Sequence, residues 1–354
     1  MRKCEVAAMK LKLNKTTRKN FATYGVVILA YVLLQVMKGS LSSSLKGMLV
    51  PICAYVVMAI SLNLTVGILG ELSLGHAGFM SVGAFTGVTA AIALQNVIPA
   101  APLRLAVGLA VGAAFAGIAG FLIGIPVLRL NGDYLAIVTL AFGEIIKSIF
   151  NNLYVGIDKN GMQFSLLSDK TNLAEGGKLI IEGPMGIGGI QKISTFTAGF
   201  ILVMITLIIV FNLVNSRAGR AIMAIRDNHI AAESIGLHVT HYKMMAFVTS
   251  AALAGAAGAL FAMNYSTIMA NKFDFNTSIL VLVFVVLGGQ GNMLGSIVAA
   301  AALTVLPEML RTFADYRMLV YAIVLILVML TTNNATLRSW FSRFSLKNRE
   351  KEAA

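Results

Sequence analysis

Residues 196–214 read FTAGFILVMITLIIVFNLV, a run of nineteen residues without a charged side chain. Wound as an α-helix at about 1.5 Å per residue, such a run spans the roughly 30 Å hydrocarbon core of a bilayer. Eight more apolar stretches occur along the chain, at 21–37, 48–66, 72–94, 103–128, 134–155, 244–263, 278–307 and 318–331. The pattern predicts an all-α polytopic membrane protein with about 8–10 transmembrane helices.

The composition excludes two broad classes of protein. Of the 354 residues, 58% are hydrophobic and 12% are charged, whereas a soluble domain carries about 25% charged residues. A soluble core of this length could not bury so much apolar surface. A transmembrane β-barrel is excluded as well, because its strands alternate polar and apolar residues over about ten positions, and the apolar runs here are continuous.

The distribution of the net charge of +13 predicts the topology. Lysine and arginine concentrate in 1–20, 215–243 and 332–354, whereas the polar segment 156–195 balances four lysines with four acids. Loops rich in lysine and arginine stay in the cytoplasm. We therefore expect basic cytoplasmic tails at 1–20 and 332–354, a transmembrane domain over 21–331, a cytoplasmic loop at 215–243 and an external loop at 156–195. Since the basic residues follow membrane topology, no nucleic-acid partner is expected.

Two segments predict broken or re-entrant helices. Nine apolar stretches are an odd number, whereas two cytoplasmic termini require an even number of crossings. The first break, 67–78, reads GILGELSLGHAG, and the second break, 288–292, reads GGQGN within the stretch 278–307. Non-helical backbone at membrane depth is tolerated only where protein or a water-filled cavity covers it. We expect 278–307 to form a hairpin or a broken pair, which gives ten crossings or eight plus a re-entrant element.

The 217–237 segment reads RAGRAIMAIRDNHIAAESIGL and predicts a short helix between two spans. Asp227 or Asn228 is available as its N-cap, and Gly236 is a typical helix stop. A short helix with small residues and an acid, held at the membrane surface, suits docking into a cleft of a soluble partner. An ordinary amphipathic linker is the alternative interpretation.

Ionisable and polar residues within apolar stretches are candidates for function. Glu144 and Lys147 lie three residues apart on the predicted helix over 134–155, so they could form an ion pair on one face, which is either functional or purely structural. Ser73 and His76, in the first break, could meet a zwitterionic solute through hydrogen bonds and a half-helix terminus. The alternative for the first break is that its glycines serve packing alone.

The sequence gives no sign of an enzyme. A Gly-x-x-x-x-Gly-Lys-Ser/Thr nucleotide-binding motif does not occur, since Gly176-Gly177-Lys178 is followed by Leu179. Three histidines occur in or beside the 217–237 segment, but no cysteine or carboxylate completes a metal site at convincing spacing. We expect no catalytic residue, no metal site and no cofactor on this chain.

Five blocks carry a family resemblance. They read LNLTVGILGELSLGHAGFMSVGAFT (62–86), LRLNGDYLAIVTLAFGEIIKSIFNN (128–152), GPMGIGGI (183–190), RDNHIAAESIGLHVTHYKMMAFVTSAALAGAAGALFA (226–262) and VLGGQGNMLGS (286–296). In this order they closely resemble the permeases of branched-chain amino-acid ABC importers of the LivM type. One departure is Glu71, which stands where that family more usually has glutamine. Another is Asn131, where the family often has arginine.

The resemblance implies a transport subunit in a bacterial inner membrane that works with partners. These are a second homologous permease, two ABC ATPase subunits that bind ATP and Mg²⁺, and an extracytoplasmic solute-binding protein. We expect energy coupling to the ATPases at Arg226, Asp227, Asn228, Ala231, Ala232, Glu233 and Gly236. We expect the path of branched-chain or related amino acids at Ser73, Gly75, His76, Gly288, Gly289 and Gly291.

A self-sufficient secondary transporter or channel is the alternative from a different class. In that case Glu71, His76, Glu144 and Lys147 would relay protons or ions. The two hypotheses differ in whether transport requires ATP and partner chains.

Overall fold

The structure is a computed structural model that describes residues 15–40, 42–95, 97–130, 132–158, 161–166 and 178–309, with positions 322, 323 and 326. Its helices are α1 Lys15–Met37, α2 Ser43–Asn63, α3 His76–Ala93, α4 Ala101–Val127, α5 Asp133–Asn151, α6 Phe196–Asn215, α7 Arg217–Asp227, α8 His229–Ser234, α9 Val239–Ala262, α10 Phe275–Gly288 and α11 Met293–Met309. Within these residues, eight helical segments are long and apolar enough to cross a membrane. The predicted all-α polytopic fold is confirmed.

Some of the predicted segments lie outside the described residues. These are the tail 332–354, most of the tail 1–20 and all of the apolar stretch 318–331 except positions 322, 323 and 326. Asn131 also lies outside them.

The centre of the bundle is α9, which packs against α2, α3 and α4. Glycines make these contacts close: Gly83 of α3, Gly112 of α4 and Gly255 of α9 meet at one point, where a Cβ on any of them would overlap a neighbouring helix. Helices in a membrane associate through such small residues, because the surrounding lipid is as apolar as leucine. By contrast, α1 contacts little besides α6, and its side chains Leu29 and Val36 are exposed, as on a lipid-facing surface.

A small antiparallel sheet follows α5. It consists of β1 Leu153–Asp158, β2 Gly161–Leu166 and β3 Lys178–Glu182, in the order β2-β1-β3. The sequence reading did not predict these strands and assigned 153–155 to an apolar helical stretch, which is wrong. Val155 is buried where it pairs with Ile181 of β3, and this pairing stabilises strand over helix there.

Candidate functional site

The first break begins at the end of α2. The helix continues as one π-helical turn, Leu64–Leu69, and then stops at Gly70. The backbone N–H groups of Gly70 and Glu71 both donate to the carbonyl oxygen of Thr65. Gly70 has φ +82°, a left-handed conformation that glycine adopts at little cost. Helix resumes only at His76, so the predicted interruption is confirmed.

The second break separates α10 from α11 and lies against the first. A fully buried side chain, Asn63 of α2, joins them. Its Oδ1 accepts a hydrogen bond from the Gly291 N–H at 2.8 Å, and its Nδ2 donates to Ser296 Oγ at 2.9 Å. A Cβ on Gly67 would overlap both Asn63 Oδ1 and the Gly291 backbone, so this glycine is what lets the breaks touch. The predicted interruption of 278–307 is also confirmed.

The residues predicted for the solute path at the first break are buried. Ser73 and His76 are almost fully covered. His76 Nε2 lies 2.8 Å from Ser61 Oγ, and Gly75 packs against the backbone of Thr139. Within the described residues, Ser73 Oγ is buried with no hydrogen-bond partner.

The three glycines predicted for the path at the second break form or flank its turn. Gly288 packs against the backbone of Ser296, while Gly289 and Gly291 have positive φ. The first turn of α3 lies against α10, where the Ala77 N–H donates to Ser278 Oγ at 3.2 Å. The fold therefore gathers the predicted path residues around two adjoining breaks, and their contact with solute stays a prediction.

The 217–237 segment contains the predicted short helix. Asn228, and not Asp227, is its cap: Asn228 Oδ1 accepts from the Ala231 N–H at 3.1 Å. The helix α8 follows, and the chain turns away at Gly236 with φ +86°. Ala232 packs inward, whereas Glu233 is exposed.

The sequence did not predict two contacts of this region. Arg226 Nη1 donates to the carbonyl oxygen of Gly67 at 3.1 Å, and the Arg226 side chain covers Gly70. Lys243, in the second turn of α9, forms an ion pair with Glu71, and the two side chains are 8% and 13% exposed. Both contacts join residues about 160 or more positions apart in the chain. The one available signal was the acid at Glu71, where the resembling family carries an amide.

Comparison with known proteins decides the family. The profile described as "Branched-chain amino acid transport system / permease component" matches residues 44–329. The chain belongs to this family of permeases. It is 36% identical over 305 residues to the high-affinity branched-chain amino acid transport system permease protein LivM of Escherichia coli, covering 83% of this chain and 70% of the relative.

Two further relatives match this chain. LivM of Salmonella typhimurium is 36% identical over 291 residues, or 78% of this permease and 66% of the relative. The fructose import permease protein FruG of Bifidobacterium longum is 24% identical over 241 residues, or 66% and 67% of the two chains. No solved structure gives a significant match. The chain is therefore a LivM-type permease, a transport subunit and not an enzyme.

The predicted ion pair of the permease is present on α5. Lys147 Nζ contacts Glu144 Oε2, and both side chains are partly exposed. Glu144 and Asp274 border a cavity between α3, α5 and α10 that has room for about one water molecule. Among the described residues, no three His, Cys, Asp or Glu side chains lie close enough to hold a metal ion. The role of the pair stays a prediction.

Proposed function

We propose that this permease is a subunit of an ATP-driven importer in a bacterial plasma membrane, with both termini in the cytoplasm. Together with a second homologous permease it forms the path for branched-chain or related amino acids, which an external binding protein delivers. Two separate ATPase subunits bind ATP and Mg²⁺, and this permease contacts its ATPase through α8. The residues that couple to them are those predicted from the sequence, from Arg226 to Gly236.

The surface of α8 is the observation that carries this proposal. Ile230 and Ile235 are 69% and 76% exposed, on either side of the exposed Glu233. Apolar side chains of this size are covered by a partner where they serve binding. The Asn228 cap holds the helix in one conformation, which reduces the entropy lost on docking. A short helix with an apolar tip and an acidic edge fits a groove on a soluble subunit.

The cargo is proposed from the relatives. The two most similar relatives described above are named for branched-chain amino acids, whereas the more distant one is named for fructose. The greater identity favours amino acids. A permease of this kind does no bond chemistry; it converts ATPase closure into helix movement, through contacts that differ between two conformations.

The test is purification of the tagged permease from its native membrane. We expect ATPase subunits in near-stoichiometric amount with the wild type, and little or none with Ile230→Glu or Glu233→Arg, because each places an unfavourable charge in the docking surface. Met185→Glu is the matched control, since Met185 is 67% exposed and lies in the segment that we propose to be external, and it should retain the ATPases.

Two results would contradict the proposal. Ile230→Glu and Glu233→Arg could both retain ATPases at the wild-type level, in which case α8 is not the docking surface. Alternatively, the permease could emerge alone and still move solute into vesicles along an ion gradient without ATP. That outcome would establish the secondary-transporter hypothesis, with Glu144 and Lys147 as the next residues to change.

A further inference from the structure

Two basic side chains meet at the C-terminal end of α2 and its π-helical turn. Arg226 comes from the end of α7, and Lys243 comes from the start of α9. The two residues therefore flank α8 in the sequence. The last carbonyl groups of a helix lack partners within the helix, and cations are favoured there by the helix dipole.

The Arg226 guanidinium is oriented by its neighbour. Asp227 Oδ1 accepts from Arg226 Nε at 3.1 Å and from Nη2 at 2.9 Å. This leaves Nη1 directed at the Gly67 carbonyl oxygen, 3.1 Å away. The rigid fork of arginine makes both sets of bonds at once, which a lysine ammonium at the end of a flexible stem cannot reproduce.

The contact at Gly67 reaches the second break as well. Gly67 lies against Gly291, and Asn63, one turn earlier in α2, bonds both Gly291 and Ser296. Each link in this series is a hydrogen bond or a backbone contact without space for an added methyl group. A displacement of α7 therefore acts on a rigid unit that contains both breaks.

We propose that Arg226 is a positioning residue for transport, which ties the ATPase-docking segment to both helix breaks so that the breaks move when α7 and α8 move. This rests on the proposed function. It assigns Arg226 an inward role at the breaks, distinct from the docking of the ATPase at the exposed surface of α8. The Lys243–Glu71 ion pair is a second contact between the first break and this part of the chain, made from α9.

The test uses the full complex of permease, ATPases and binding protein. In a background that lacks Cys4 and Cys53, Ser73→Cys reports movement of the first break, because Ser73 is almost fully buried and a maleimide reacts with it only when the break opens. We expect trapping of the ATPases with ATP and vanadate to raise the labelling rate. Arg226→Ala should abolish that increase and still retain the ATPases on purification.

Arg220→Ala is the matched control. Arg220 lies on the same helix and also donates to a backbone carbonyl, that of Asn215, and within the described residues it makes no hydrogen bond to either break. It should leave the ATP-dependent labelling unchanged. Arg226→Lys, which keeps the charge and loses the fork, should lose part of the increase and serves as the second variant if Arg226→Ala does not accumulate.

Four results would overturn the inference. The labelling increase could persist in Arg226→Ala, or the reporter could show no increase in the wild type, which would mean that the breaks do not move with ATP. Loss of the ATPases from Arg226→Ala would place Arg226 in docking, while the α8 variants still tested the proposed function separately. Absence of ATPases from the wild type would overturn the proposed function and this inference with it.

Discussion

At each helix break a freed backbone group is hydrogen-bonded by a side chain, but the two breaks use different side chains. At the first break, the freed carbonyl of Gly67 accepts a hydrogen bond from Arg226, a side chain of another segment. At the second break, the Gly291 N–H is bonded by Asn63, which belongs to the helix that ends in the first break. The first break is thus anchored to the 217–237 segment, and the second is anchored to the first. The difference gives the breaks an order, since a change at the first must affect the second.

The largest effect is expected from Gly67→Ala, which separates the two breaks. A Cβ at this position overlaps Asn63 Oδ1 and the backbone of Gly291, and overpacking of this kind costs about 3 kcal/mol. The free energy of unfolding, measured by denaturation of the purified permease in detergent, should fall by this amount. Gly188→Ala is the control, because a Cβ there meets no atom within 4 Å.

Asn63→Ala should come next and tests whether an amide joins the breaks. It removes the acceptor of the Gly291 N–H and the amide that donates to Ser296 Oγ, both at a buried site, at a cost of about 2 kcal/mol. Thermal unfolding of the variant should begin at a lower Tm. Asn152→Ala removes an exposed amide that bonds Ser148 and should change little. Equal Tm values for the two variants would contradict the joining of the breaks.

Glu71→Gln weakens the ion pair that joins the first break to Lys243. The amide still accepts a hydrogen bond from Lys243 but removes the counter-charge of a largely buried ammonium, so we expect a loss of about 1.5 kcal/mol. Adding Lys243→Gln should cost less in this variant than in the wild type, because coupled pairs are not additive. A double variant whose loss of stability equals the sum of the single losses would show that the pair contributes nothing.

Asn228→Ala should have the smallest effect, because Asn228 lies outside both helix breaks. It removes the cap of α8, worth about 1 kcal/mol, and leaves both breaks intact. Local hydrogen exchange should rise in α8 alone. If protection also falls in α2 or α11, then the breaks depend on α8 itself and not only on Arg226.

The sequence predicted those features that depend on residues close together in the chain. Glycines indicate both breaks, because a run of glycines and amides such as 288–292 is unfavourable in a lipid-facing helix. The cap at Asn228 and the stop at Gly236 follow from rules that operate within one turn. The Glu144–Lys147 pair follows from helical spacing alone.

The features that could not be predicted depend on the tertiary fold. A π-helical turn at Leu64–Leu69 has no distinct residue pattern, since it is one extra residue accommodated in a helix. The contact of Arg226 with Gly67 joins distant segments, and nothing local to either residue indicates it. The strands after α5 are short, and β1 contains Gly156, where its register with β3 shifts. Their alternation of polar and apolar residues is therefore too weak to separate them from the apolar stretch before them.

The central position of α9 has a consequence for the order of events during synthesis. The ribosome makes α9 after α2, α3 and α4, the helices that close around it. Until Val239–Ala262 enters the membrane, Gly83 and Gly112 lack one of their packing partners, and Glu71 lacks its counter-ion. For most of its translation, the nascent chain therefore exposes packing surfaces that lack their partner helix. A chain stalled before Val239 is expected to stay with the insertion machinery or be degraded, instead of settling as a smaller bundle.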